Sequence, residues 1–151
     1  MGQSIYETAG GYATLLNLAE TWHQLCTRDP ATVHPFGLPG LHPQHTERLA
    51  AYLAEALGGP PLYSSEMGDE TYMQALHAGK GEHAELDERA LELWDEAIAM
   101  VGIPAEAGEQ ISTYFHWATR RMDRYMESED LVPEALAIPE WTWEGPTRDG
   151  V

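Results

Sequence analysis

The chain has 151 residues, 43% of them hydrophobic, which is enough for one domain with a real core and argues against disorder. Its 25 acidic residues against 8 basic ones give a formal net charge of -17, which repels phosphate backbones and anionic lipid and so excludes nucleic-acid and membrane-surface partners. The single cysteine, Cys26, leaves no internal disulfide, no stretch holds the roughly eighteen apolar residues of a membrane span, and the N-terminus has neither a basic start nor an apolar run, so a cytoplasmic protein is expected.

Ser4 followed three residues on by Glu7 is a capping-box pattern and predicts a short helix over 4–9, broken by Gly10-Gly11. Tyr12, Leu15, Leu16, Ala19, Trp22 and Cys26 then recur at spacings of three and four, one face of a helix over 12–28 that Asp29-Pro30 ends. Cys26 on that stripe reads as a buried, inert thiol. Residues 29–43 hold Pro30, Pro35, Pro39 and Pro43 with Gly37 and Gly40, a loop whose large apolar side chain is Phe36. A helix over 44–57 places Leu49, Tyr52, Leu53, Ala56 and Leu57 on one side and stops at Gly58-Gly59-Pro60. Asp69 can cap a short helix to 78, closed by Gly79 and Gly81. Leu86, Ala90, Trp94, Ala97 and Val101 form the stripe of a longer helix, and after Gly102 and Pro104 a second runs through Ile111, Phe115, Ala118, Met122 and Tyr125. No segment alternates at period two for long enough to suggest a sheet, so the fold class is all-α. Past residue 128, acidic residues and prolines take over with Trp141 and Trp143. Residues 1–127 are expected to form the domain, and 128–151 an irregular acidic extension that packs its tryptophans onto it.

Helical phase sorts the seven histidines. His116 has polar neighbours, His34 and His42 sit in the loop, and His83 sits near a helix start. His23 lies on an apolar stripe, His45 four residues before Leu49, and His77 four after Met73 and next to Leu76. A buried imidazole left unpaired costs about 1–3 kcal/mol per group. Three of them on three helices of a small domain point to a shared metal or metal cofactor. A di-iron bundle needs two Glu-x-x-His pairs, and only Glu20 with His23 exists. Structural zinc lacks cysteines and partners for His42 and His45. Heme needs one axial ligand, a flat apolar slot with aromatics, and a cation or hydroxyl near its propionates.

The order of these features resembles the truncated hemoglobins, closest to their second group, over residues 4–127. The resemblance implies a shortened two-over-two helical sandwich holding heme b. Gly10-Gly11 and Gly58-Gly59-Pro60 match the glycine breaks that shorten the family's first helices. His77 takes the proximal position, bonding iron through one nitrogen while the other donates to a backbone carbonyl. Phe36 matches the aromatic that wedges against heme from the loop, and Leu49 and Tyr52 pack on the distal side. Tyr72, Met73 and Leu76, on the helix of His77, are implied heme contacts, with Tyr63 and Lys80 as implied propionate contacts. His45 and His23 match distal positions that address the bound ligand; the family usually has tyrosine at the second, so histidine there is a departure. The family's tryptophan after the proximal histidine falls on Ala90 here, with Trp94 one turn further along the same face. Ala78-Gly79-Lys80-Gly81 also lacks the proline and phenylalanine of the group.

The implied function is a heme protein binding dioxygen, nitric oxide, carbon monoxide or peroxide, usable for oxygen transport or, with an outside electron donor, for redox turnover; a homodimer is compatible with it. A neutral imidazole N–H from His45 or His23 would stabilise a partly negative ligand oxygen. Two alternatives stay open: a bis-histidyl redox or ligand sensor, and a heme-free helical interaction module docking through Trp141 and Trp143. Hydrolase and kinase chemistry find no Gly-x-Ser-x-Gly and no phosphate loop.

Overall fold

The structure, a computed structural model, describes residues 2–33 and 43–148. Among them are six α-helices, α1 (Ile5–Ala9), α2 (Gly11–Arg28), α3 (His45–Ala56), α4 (Glu70–His77), α5 (Ala84–Val101) and α6 (Ala105–Met122), then short 3-10 turns at Asp123–Tyr125 and Glu129–Leu131. The first helix closes with the capping box: Ser4 Oγ accepts from the Glu7 N–H at 3.1 Å, and Glu7 Oε1 accepts from the Ser4 N–H at 3.2 Å. Asp69 caps α4 by accepting from the Tyr72 N–H at 2.8 Å.

Helix α2 packs on α3 and on α5, and α5 on α6, while α1 bridges α2 and α6. Leu15 and Leu18 of α2, Leu53 of α3, Trp94 of α5 and Ile111 and Tyr114 of α6 are almost wholly buried and meet in one core. Gly58 and Gly59 let the end of α3 accept α1 at close range. Gly58 has φ of 95°, and a Cβ on Gly59 would sit 2.7 Å from the Tyr6 ring and 2.8 Å from the Ala54 carbonyl oxygen. The Tyr6 N–H donates to the Leu57 carbonyl at 3.0 Å, which fixes the join.

The last part of the chain is more ordered than its composition suggests. Strands β1 (Glu140–Thr142) and β2 (Gly145–Arg148) pair antiparallel, with Trp141 opposite Pro146, Thr142 opposite Gly145, and a register irregularity beside Glu140. Elements of three or four residues are too short to show a period of two, so the alternation test missed them. Trp141 is buried against Tyr114 and Trp117 and donates its indole N–H to Gln110 Oε1 at 3.0 Å, while the Trp143 indole reaches the Gln3 carbonyl at 2.9 Å. The hairpin adds Trp141 to the core of an all-α fold. No helix among the described residues is long and apolar enough to cross a membrane.

Candidate functional site

His77 ends α4, and its Nδ1 lies 2.8 Å from the Met73 carbonyl oxygen one turn back. A carbonyl only accepts, so Nδ1 carries the proton and Nε2 keeps its lone pair. The ring is solvent-accessible, yet surrounding protein desolvates it and lowers its pKa, with the Lys80 and His83 charges pushing the same way and the Met73 bond opposing. Both observations fit a ring that lines a recess. A neutral imidazole with one nitrogen tied to a carbonyl and the other open is the donor geometry a transition metal or heme iron takes.

Two other predicted residues meet directly. The rings of His23 on α2 and His45 at the start of α3 are 4.3 Å apart, tilted by 59°, and both are half-buried. Leu49, one turn beyond His45, packs half-buried against the core, as does Met73. Tyr52 turns inward: its hydroxyl donates to Glu70 Oε1 on α4 at 2.5 Å, and its ring meets Tyr63 edge-on at 5.3 Å. Tyr63 is buried, and the Arg48 guanidinium sits 5.8 Å from its ring and 6.0 Å from that of Tyr72. Tyr72 and Leu76 are exposed, at 43% and 51%, and at about 100° per residue they lie 100° or more round the helix from His77. Lys80 is exposed beyond the end of α4. Phe36 lies outside the described residues.

Trp94 is wholly buried, stacked 3.8 Å on Phe115 and edge-on to Trp22 at 5.3 Å. The Trp22 indole donates to the Ala90 carbonyl at 2.9 Å, so the indole cluster fills the neighbourhood of position 90 from α2. The Trp94 Nε1 is buried with no acceptor among the described residues, an orphan donor that a bound group would satisfy. Cys26 is buried, and burial pushes its thiol up to about 12, far from nucleophilic. His83 is engaged by Asp87 at 2.8 Å and His116 by Asp95 at 3.2 Å.

Sequence reasoning missed Glu70 and Gln74. Glu70 is 1% exposed; burial raises its pKa, while donors from Tyr52 and Gln74 and the charges of Arg121 and Arg124 oppose the rise. The signal was present in the spacing: Glu70, Gln74 and His77 stand at i, i+4 and i+7 of one helix.

The sequence profile of the family described as Bacterial-like globin matches residues 4–124. The chain is a bacterial-like globin. Its structure superposes on the hemoglobin of the thermophilic phototrophic bacterium Chloroflexus aurantiacus, at 26% identity over 80% of this chain and 98% of that one, with a TM-score of 0.70. A thermostable hemoglobin from the actinobacterium Thermobifida fusca gives 28% identity over 80% and 96%, with a TM-score of 0.67. The group II truncated hemoglobin of Bacillus anthracis, 20% identical over 81% and 92%, shares the fold at a TM-score of 0.69. No curated protein matches the chain. This globin therefore has the fold of the group II truncated hemoglobins and is a heme protein that binds small diatomic ligands. The Nε2 of His77 and the indole N–H of Trp94, neither with a hydrogen bond among the described residues, both suit such a cofactor.

Proposed function

We propose that this globin holds heme b through Nε2 of His77 and binds dioxygen or a related diatomic on the side of His23 and His45. The observation that carries the reading is the Nδ1 bond of His77 to the Met73 carbonyl at 2.8 Å, which selects the tautomer and leaves one lone pair for a metal. Heme, when bound, supplies the coordination position at which the diatomic sits. The residues supply the rest. The lowered pKa of His77 keeps its imidazole neutral, and therefore a donor, below the ordinary histidine range. His23 and His45 set two imidazoles side by side, from which one N–H can be offered to a partly negative ligand oxygen, a charge-assisted bond worth about 1.5–3 kcal/mol. The half-buried position of both rings limits water around that bond. Turnover of nitric oxide or peroxide draws electrons from a separate donor.

Absorption spectra of the purified protein in ferric and ferrous states test this directly. A Soret band from stoichiometric heme is expected, five-coordinate when ferrous. His77→Gly should lose that axial bond and regain it with millimolar imidazole. Full heme occupancy and an unchanged ferrous spectrum in His77→Gly would refute the assignment.

A second reading has its own observation. Two imidazoles in ring contact at 4.3 Å could place one nitrogen on the sixth position, making a redox-active or ligand-gated sensor. Low-spin spectra in both oxidation states without added ligand would favour it, and a five-coordinate ferrous form would exclude it.

A further inference from the structure

The helix that carries His77 is buried by its polar side. In α4 the two buried residues are Glu70, 1% exposed, and Gln74, 2% exposed, whereas the apolar Tyr72 and Leu76 face outward. Eight residues are too few for a helix to hold itself in water, and tertiary contacts ordinarily do so through an apolar stripe. Met73 packs half-buried on the core beside Glu70 and Gln74, and the fully buried contact is a row of hydrogen bonds. The Tyr52 hydroxyl of α3 donates to Glu70 Oε1 at 2.5 Å, and Gln74 Nε2 donates to Glu70 Oε2 at 2.8 Å. Each carboxylate oxygen is claimed by a different partner. One of those partners belongs to the core, since Tyr52 is buried and braced edge-on by Tyr63.

Stability is a poor reason for this arrangement. A buried carboxylate carries a desolvation penalty that an apolar side chain of similar size avoids, and such replacements are often neutral or stabilising. The arrangement also leaves Gln74 Oε1 buried without a donor among the described residues, a further cost. What two directed bonds supply that a leucine does not is orientation, because apolar contact tolerates rotation and sliding while a doubly bonded carboxylate does not. Glu70 and Gln74 stand in the same helical row as His77, so whatever fixes their rotation about the helix axis fixes that of the imidazole.

We infer that Glu70 is a positioning residue for the heme ligand: held between the Tyr52 hydroxyl and the Gln74 amide, it sets the rotation of α4 and so the direction in which His77 presents Nε2. The inference rests on His77 as the axial ligand. Partners at one remove from a metal typically change metal affinity about 10- to 100-fold when lost, and that range is expected here for heme retention.

The test uses the full-length, heme-loaded protein and three variants, Glu70→Leu, Glu70→Gln and Tyr52→Phe, each read by the iron–histidine stretching band of the ferrous form, by heme release to a scavenging protein and by chemical unfolding. Glu70→Leu is expected to unfold at or above the wild-type denaturant concentration, yet shift or broaden the band and release heme about 10- to 100-fold faster. Glu70→Gln keeps an acceptor for Tyr52, and a flipped Gln74 amide can then offer its unused Oε1 to the new N–H. It should restore both the wild-type band and the release rate. Tyr52→Phe removes one donor and no backbone contact, and should move the band in the same sense as Glu70→Leu; it carries the test if the leucine variant does not fold. A wild-type band and release rate in both Glu70→Leu and Tyr52→Phe would overturn the inference. Failure of the underlying assignment looks different: the iron–histidine band would then survive in His77→Gly, whatever the variants at position 70 do.

Discussion

Replacing Trp141 by alanine tests whether the hairpin is part of the folded core. Trp141 is 6% exposed, its ring meets Tyr114 at 5.9 Å and Trp117 at 5.3 Å, and its N–H bonds Gln110 Oε1 at 3.0 Å. Truncating a tryptophan this buried costs about 3–5 kcal/mol through lost transfer energy and the cavity left behind. The lost hydrogen bond adds little beyond that, because Gln110 is half-buried and water can replace its partner. For a chain of this length each kcal/mol moves the melting temperature by roughly 2–4 °C, so a fall of about 6–20 °C is expected. Urea unfolding followed by far-ultraviolet circular dichroism gives the free energy, with heme held at a fixed excess because a ligand of the folded state adds stability by mass action. Trp143→Ala serves as the comparison: that ring packs half-buried against the edge of the core and bonds Gln3, so its loss should cost less, about 1–2 kcal/mol. If Trp141→Ala costs less than about 1 kcal/mol, the hairpin does not complete the core and the packing argument is wrong.

Acidification reads His77. Its folded pKa is lowered, so the unfolded chain binds the proton more tightly; the stability this contributes to the heme-free protein is complete above the ordinary histidine value near ~6.5 and declines as pH falls through it toward the folded value. The difference between wild type and His77→Phe in urea unfolding at pH 8, 7, 6 and 5 isolates that contribution, and a difference that grows toward alkaline pH above 7 would contradict it. Gly59→Ala places a methyl 2.7 Å from the Tyr6 ring and 2.8 Å from a backbone oxygen, and should destabilise by about 1–3 kcal/mol in the same assay; a neutral outcome would mean α1 can move aside. Of His23→Leu and His45→Leu, at least one should speed dioxygen dissociation about 10- to 150-fold by stopped flow while leaving carbon monoxide, a weaker acceptor, little changed; no effect from either would remove the distal role proposed for the pair.

The framework was legible because its signals are local. Ser4 with Glu7 and Asp69 before α4 each act within one turn of chain and cap their helices as the sequence suggests, and Gly58-Gly59 follows the end of α3 as expected, although the close approach of α1 that it permits is not local. A carbonyl partner for His77 was implied only by the family resemblance, although Met73 stands four residues back, within reach of a side chain at the end of the helix. The hairpin was not, because Trp141 earns its place through Tyr114, Trp117 and Gln110, none within twenty residues of it.

Glu70 shows the limit most clearly. A glutamate just after an aspartate cap reads as a solvent residue favoured by the helix dipole, and that reading accounts fully for its place in the sequence. The phenol arriving from Tyr52, eighteen positions earlier, together with the Gln74 amide makes it a buried group with a fixed direction. Tyr72 and Leu76 are exposed, while Glu70 and Gln74 of the helical row of His77 are buried and Met73, one turn before His77, is half-buried. Under the proposed assignment, the short helix that aims the imidazole has little apolar contact beyond Met73 with which to hold itself, so directed bonds to its neighbours set its orientation. Those bonds belong to the assembled fold, so the sequence offers His77 as a candidate ligand from its own segment, while its proposed aim depends on Tyr52.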